Sequence, residues 1–339
     1  MAFRKPSSQP EIFDGIFATA PQNQTLRNIN RVVNWGALRA VLAPSYDASG
    51  VGCPGFDPVV LAKLLLLEMI YNLSDIRVCE EASDRLSFRE FLGLSSGDTV
   101  PDDTTLVRFR SRLAKHQLNN AIHDFFQQEL VRNGFKLHAG SIAIIDASLI
   151  KSSTNPPKQK PENHDQDGEK TPVSLKREQR DTDATTTFKN GEWVHGHKLH
   201  LSQNAGTGII NRYVVTTASV HDSQVFSELL TGTEGSVLAD RGYDSEANRT
   251  WLREHEIEDN IMRKSTRNES ESGRTFKREW NKIITPMRSR IEKTFAILKR
   301  WRGCAKARYL GVEKVTHQFG WAITAHNLLI FNRLLKNCA

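Results

Sequence analysis

The chain is poor in the residues that cross-link a small scaffold. It has four cysteines in 339 residues (Cys53, Cys79, Cys304 and Cys338) and no Cys-x-x-Cys pair among them. That scatter argues against a zinc module or a disulfide framework, and a reducing, intracellular setting is the simplest reading. A membrane-spanning run is missing too. The most apolar stretches, PVVLAKLLLLEMI and FGWAITAHNLLIF, are short and interrupted by Lys63 and Glu68, or by His326 and Asn327. The opening MAFRKPSSQPEIFDGIF has neither a continuous apolar core nor a cleavage pattern, so no secretion signal is expected. No internal repeat is apparent. Acid is scarcest between Met287 and Arg308, where Glu292 is the only acidic residue among eight lysines and arginines.

What is there in quantity is positive charge. A net charge of +7 favours a polyanionic partner by counterion release, although an enzyme that never meets DNA can be as basic. The length suffices for one substantial core or two modest ones.

The stretch around Glu292 reads as a helix over 276–301. At helical spacing Arg288, Glu292 and Lys299 fall within a sector of about 40°, beside an apolar stripe of Ile291, Phe295 and Leu298. A single acid on such a face suggests a metal ligand next to bound phosphates. Upstream, Asp146 in SIAIIDASLIK and Asp240 in GSVLADRGYDS sit where strands are expected to end. Two strand carboxylates and one helix carboxylate are what a two-metal phosphoryl-transfer site needs, with Mg²⁺ (or Mn²⁺) as a hard cation suited to oxygen ligands. Converging carboxylates without a cation would repel and take up protons. Taken singly, each has a plainer reading: a strand-end Asp as a turn or helix cap, a lone Glu as an ion-pair partner.

Residues 1 to about 55 are poorly periodic. Helices are expected from Pro58 to about Leu73, from a cap at Ser74 and Asp75 to Arg85, and from a Ser87/Glu90 capping box to Gly93. Two more run from Asp102 or Asp103 to Leu113 and from Gln117 to Arg132. TTLVRFRSRLAK presents Arg108, Arg110, Arg112 and Lys115, with Leu106, Phe109 and Leu113 inward. It is a candidate DNA-binding helix; the alternative is a bundle with a solvated basic face. Beyond it, strands are expected near 142–149, 197–203, 208–217, 236–240 and 258–264, and helices near 223–231, 245–255, 276–301 and 313–335. The proline-containing polar stretch from Ser152 to Asn190 reads as a loop. The fold expectation is therefore α/β: a helical N-terminal domain (1–135) followed by a ribonuclease-H-like mixed-sheet domain (136–339) with a polar loop insertion at 152–195.

Three further features remain open. His195 and His197 would share a strand face, but a transition-metal site is the weaker reading. Asp222 suits a helix cap, and Trp301 either packs or stacks on an extruded base.

Several segments together resemble bacterial insertion-sequence transposases with an Asp-Asp-Glu triad. Arg288, Glu292 and Lys299 match the Arg, Glu and Lys of that group's Tyr-x2-Arg-x3-Glu-x6-Lys pattern, while Thr285 stands at the Tyr position. LADRGYDS, GHKLH, TTASVHDS and the leader FDPVVLAKLLLLEMIYNLSD, FREFLGLSS and VPDDTTLVRFRSRL match in order, over roughly residues 55 to 335. The resemblance implies a DNA transposase with catalytic, metal-binding Asp146, Asp240 and Glu292. It implies DNA contacts by Arg288, Lys299 and Lys198, to which the basic helix adds Arg108 and Arg110. It further implies double-stranded terminal inverted repeats and target DNA as partners, a homo-oligomer, in particular a dimer, on the DNA ends, no membrane, and a cytoplasmic, nucleoid-associated place in a bacterium. Two other classes stay open: a nuclease without strand transfer, and a DNA-end-binding repressor descended from a transposase.

Overall fold

The computed structural model describes residues 23–46, 55–134, 140–156, 180–189, 191–267 and 269–338. Cys53, the first 22 residues and positions 157–179 of the polar stretch lie outside the described residues.

The segment that looked aperiodic holds two helices, α1 (Gln24–Val32) and α2 (Trp35–Leu42). Each is started by an asparagine, Asn23 or Asn34, whose side chain accepts a hydrogen bond from a first-turn N–H. Helix α3 (Pro58–Tyr71) begins with Pro58 behind an Asp57 cap and ends on Asn72 in the left-handed conformation. It is apolar on every side and correspondingly buried along most of its length. Helices α4 (Asp75–Asp84), α5 (Leu86–Leu92), α6 (Asp103–Lys115) and α7 (Asn119–Arg132) complete the leader. The capping box expected at α5 does not form. Glu90 pairs with Arg27 of α1 at 2.6 Å, so a charged tertiary partner takes the carboxylate that a local cap would use.

The second half is built on six strands: β1 (Ile142–Lys151), β2 (Thr185–Lys189), β3 (Glu192–Asn204), β4 (Ile210–Thr217), β5 (Ser236–Ala239) and β6 (Glu258–Ile261). β5 lies parallel between β1 and β6, while β3 runs antiparallel to β1, β2 and β4. With three consecutive antiparallel core strands followed by two parallel ones, this is the ribonuclease-H-like order. β2 was expected to be loop; Thr185–Lys189 instead pairs with the first residues of β3 as a hairpin.

Helix α8 (Glu246–Glu254) joins β5 to β6. The helix expected over 223–231 is two short 3₁₀ turns, Asp222–Val225 and Ser227–Leu229, which set Phe226, Leu229 and Leu230 onto the sheet. The long basic helix is likewise divided, into α9 (Glu271–Arg288) and α10 (Arg290–Trp301). Pro286 has no N–H to give to the preceding turn, and the joint falls at Ser289, whose hydroxyl donates to the Pro286 carbonyl at 2.9 Å.

The last helix, α11 (Val312–Cys338), packs against α1, α3, α6 and α7 of the leader and against β4 of the sheet. One hydrophobic core therefore runs from the leader helices through α11 to one face of the sheet, where Ile144, Leu238, Ile291, Phe295 and Leu298 meet. The opposite face, with Ala143, Ile145, Val237 and Ala239, packs on Phe226, Tyr243 and Leu252. Among the described residues no helix is long and apolar enough to cross a membrane.

Candidate active site

Strand register brings the two aspartates together. Ile142–Ile145 of β1 pair in parallel with Ser236–Ala239 of β5, and the next residues on the two strands are Asp146 and Asp240. Asp240 ends its strand as expected. Asp146 does not: β1 continues to Lys151 against β3, so Asp146 is mid-strand and only the parallel ladder stops there. Alternation gives Asp146 the parity of Ile144 and Asp240 the parity of Leu238, so both belong to the face covered by α10. The Asp240 carboxylate accepts from the Arg241 N–H at 2.7 Å, and Asp146 accepts from the Ala147 N–H at 2.8 Å.

The stripe of α10 foreseen from spacing, Ile291, Phe295 and Leu298, is buried against this face. Arg288 is the last residue of α9 and Glu292 lies in the first turn of α10, and the joint preserves their approach. One Arg288 terminal nitrogen donates to Glu292 Oε1 and the other to Asp146 Oδ2, both at 2.9 Å. A single guanidinium thus ties a strand carboxylate to a helix carboxylate, while its Nε has no partner. Burial pushes the Asp146 carboxyl above its ordinary value, and Asp240 pushes the same way; the Ala147 N–H and Arg288 oppose them without winning. Glu292 remains 58% exposed. Among the described residues no three His, Cys, Asp or Glu side chains close on one point as a finished metal cage. The donors that do gather are carboxylate oxygens, which suit a hard divalent cation that keeps most of its own water.

Lys299, one turn before the end of α10, is half-buried, and burial with the nearby Lys189 charge holds its ammonium below the usual lysine value. Thr285 uses its hydroxyl locally, donating to the Asn281 carbonyl of its own helix at 2.7 Å.

Two of the expected DNA-binding side chains are otherwise employed. Arg110 is buried, with its guanidinium bound to Glu68 at 2.6 Å and to Asp75, and Tyr309 lies beneath it. Helical spacing sets Arg110 four residues after Leu106 and three before Leu113, beside the inward stripe, a position that the reading of TTLVRFRSRL as a basic face passed over. Arg108 is exposed on the same helix. Lys198 donates to the Val220 carbonyl at 2.6 Å and to Asp222 at 2.8 Å, on the sheet face opposite Leu199 and Leu201 and so away from Asp146.

Asp222, expected as a helix cap, is the partner of that lysine; the cap is His221, whose ring accepts from the Ser223 N–H. The site has one member that sequence reading passed over. Tyr243, three residues after Asp240, is fully buried with its hydroxyl unpaired, and burial, helped by Asp222, Asp146 and Asp240, pushes its phenol well above the ordinary value. The only signal was its place inside LADRGYDS. Each histidine of the VHGHKLH cluster has a partner of its own among the described residues. His197 bonds Asp181 at 2.7 Å, His195 bonds Thr186, and His200, driven by burial down to about 4, is neutral beside Thr216.

Two family comparisons match this chain. The Transposase DDE domain matches residues 137–328, more than half of its length, and a Transposase domain (DUF772) matches residues 16–112.

Proposed function

The chain belongs to the DDE transposases, enzymes that cleave DNA phosphodiesters and transesterify them, and from that premise we propose how its own residues divide the work. Asp146, Asp240 and Glu292 are the carboxylates that would hold two divalent metal ions, Mg²⁺ or Mn²⁺. Such ions, when bound, neutralise charge on the attacking oxygen, the leaving oxygen and the scissile phosphate. The observation that carries this reading is the adjacency of Asp146 and Asp240 in strand register, with Glu292 tied to the first of them through Arg288. Two acids sharing one arginine, with Asp240 next in register as a third, leave an excess of negative charge that a cation would balance.

The chain's cations act on the substrate. Arg288 exchanges its carboxylate bonds for phosphate oxygens as DNA arrives, and Lys299, eleven residues further on in the last turn of α10, holds a second phosphate. Water displaces the element's strand, and the freed 3′ hydroxyl then attacks target DNA; no covalent protein–DNA intermediate is required. Residues 1–135 recognise the terminal inverted repeats, with Arg108 among the phosphate contacts, and two copies act together on paired ends.

The test uses DNA carrying the element's own ends. The wild-type protein should cut the 3′ strand only with Mg²⁺ or Mn²⁺ and should join a pre-cut 3′ end to target DNA. Asp240→Asn should bind the ends and do neither. Cutting that persists in Asp240→Asn overturns the site, and cutting without joining points to a nuclease.

A further inference from the structure

The β2–β3 hairpin carries two large aromatic rings that the fold leaves in solvent. Phe188 and Trp193 are directly opposed across the ladder with ring centroids 5.1 Å apart, yet they are 57% and 73% exposed. Rings of this size normally serve a core or an interface.

Backbone contacts fix where the hairpin stands. A Cβ at Gly196 would lie 2.0 Å from the Ile150 carbonyl oxygen, so β3 meets β1 there at a closeness only glycine permits. Lys151 pairs with Gly196, and its carbonyl accepts from the Ala307 N–H at 2.8 Å. The chain that follows α10 is thereby pinned to the root of the hairpin. Helix α10 ends in Lys299, Arg300 and Trp301; Trp301 is 55% exposed, with the Arg300 guanidinium 5.0 Å from its ring centre. Trp193 has the strand parity of Leu201, the partner of Asp146, and so belongs to the catalytic face. Lys189, next to Phe188 at the hairpin tip, pairs with Glu192 on the other face of the ladder, and from that edge its charge still reaches Asp146, His200 and Lys299. The acid on the tip is Glu192, opposite Lys189.

Exposed rings alternating with cations form the pattern by which proteins hold single strands: bases stack on the rings and phosphates meet the charges. An intact duplex hides the base faces. We propose that the β2–β3 hairpin and the end of α10 form a platform for the unpaired DNA strand at the cleavage junction, with Phe188, Trp193 and Trp301 stacking its bases and Lys189 and Lys299 holding its phosphates. This rests on the transposase reading above.

The experiment measures binding of the full-length protein, in EDTA, to three labelled DNAs: oligothymidine, a blunt duplex, and the same duplex with a short unpaired 3′ end. The wild type should prefer the DNAs with unpaired nucleotides. The double substitution Phe188→Ala/Trp193→Ala should weaken those two about tenfold or more and the blunt duplex less than about twofold. Trp193→Phe should keep most of the preference. Both rings are exposed, so the unfolding midpoint of the double variant should match the wild type. A wild type without preference overturns the platform, as does a double variant that binds like the wild type or one whose self-association changes while strand affinity does not. Failure of the wild type to bind any of the three overturns the transposase reading with it. Intact Asp240-dependent cleavage beside unchanged strand affinity in the double variant sinks the platform alone.

Discussion

Two arginine–carboxylate clusters in this chain use the same groups to opposite ends. In the leader, Glu68 and Asp75 are matched by Arg110 and Arg308: Arg110 bonds both acids, and Arg308 bonds Glu68 at 2.8 Å and the Leu73 carbonyl at 2.7 Å. Glu68 is wholly buried, and Tyr309 closes the cluster. At the proposed catalytic face Arg288 bonds both Asp146 and Glu292, Asp240 adds a third acid, and Glu292 is largely open to water. Equal charges around a wholly buried acid make a joint that stays put. An acid excess in an open space leaves its arginine a choice of partners, and a phosphate or a cation can shift the balance. Charge count and access, not residue type, separate structure from site.

The largest effect tests the open cluster. Asp146→Asn, Asp240→Asn and Glu292→Gln should each lower single-turnover cleavage by about a thousand-fold or more while end binding stays near wild type, because each removes charge and almost no volume. Loss of binding in step with cleavage would make these residues structural and erase the contrast.

Next comes stability. Arg110→Ala leaves the buried Glu68 with Arg308 alone and takes the arginine from Asp75, so it should cost about 3 kcal/mol in urea unfolding, and any loss of DNA binding should track loss of fold. Arg288→Ala should cost about 1 kcal/mol or less, since one partner is exposed, yet it should cripple cleavage, and extra Mn²⁺ should not restore it. If the two arginines cost the same in stability, the distinction drawn here fails.

The two regions should also respond oppositely to pH. Burial holds His317 and His326 of α11 down to about 4, below their ordinary 6.5. A folded value below the unfolded one means stability that is complete above about pH 6.5 and lost as pH falls toward 4, by about 1–3 kcal/mol per imidazole. Asp146 has the other sign: its folded value is raised, so in EDTA its contribution is lost as pH rises through that value. Urea unfolding across this range should show His317→Gln blunting the acid loss and Asp146→Asn flattening the opposite limb.

The smallest effect belongs to Arg108, exposed one turn from nothing it must hold. Arg108→Ala should weaken DNA binding by about 1 kcal/mol and reduce the salt slope by about 1, with no change in unfolding. A change in unfolding without a change in the salt slope would assign Arg108 to structure along with Arg110.

Much of the site was legible in the chain because its markers are local. The apolar stripe of Ile291, Phe295 and Leu298 and the spacing of Arg288 to Glu292 depend only on helical periodicity, and they survive a break in the helix. Asn23 and Asn34 start helices whose apolar residues, Leu26, Ile29 and Val33 and then Leu38 and Leu42, recur at helical spacing, a short local signal that the reading of residues 1 to 55 as poorly periodic passed over. β2 was hidden for the opposite reason: TTTFK alternates without an apolar face, and only its pairing with β3 makes it a strand.

Local chemistry therefore determined most of the helices and core strands and the basic character of the helix that bears Glu292, since caps, periodicity and charge act between residues a few positions apart. Which acids an inward arginine meets was decided by packing. Periodicity alone turns Arg110 to the side of Leu106 and Leu113 and Arg108 away from it, but the acids that bind Arg110 come from α3 and α4, and Tyr309 beneath it from the segment before α11. Likewise Lys198 and Leu199 are neighbours on one strand, but the pleat turns one toward Asp222 and the other toward the core shared with α10. A sequence states that a charge is present. Whether it is neutralised depends on partners from 35 residues away, as for Asp75 and Arg110, to 142 away, as for Asp146 and Arg288, and only the folded chain brings them within reach.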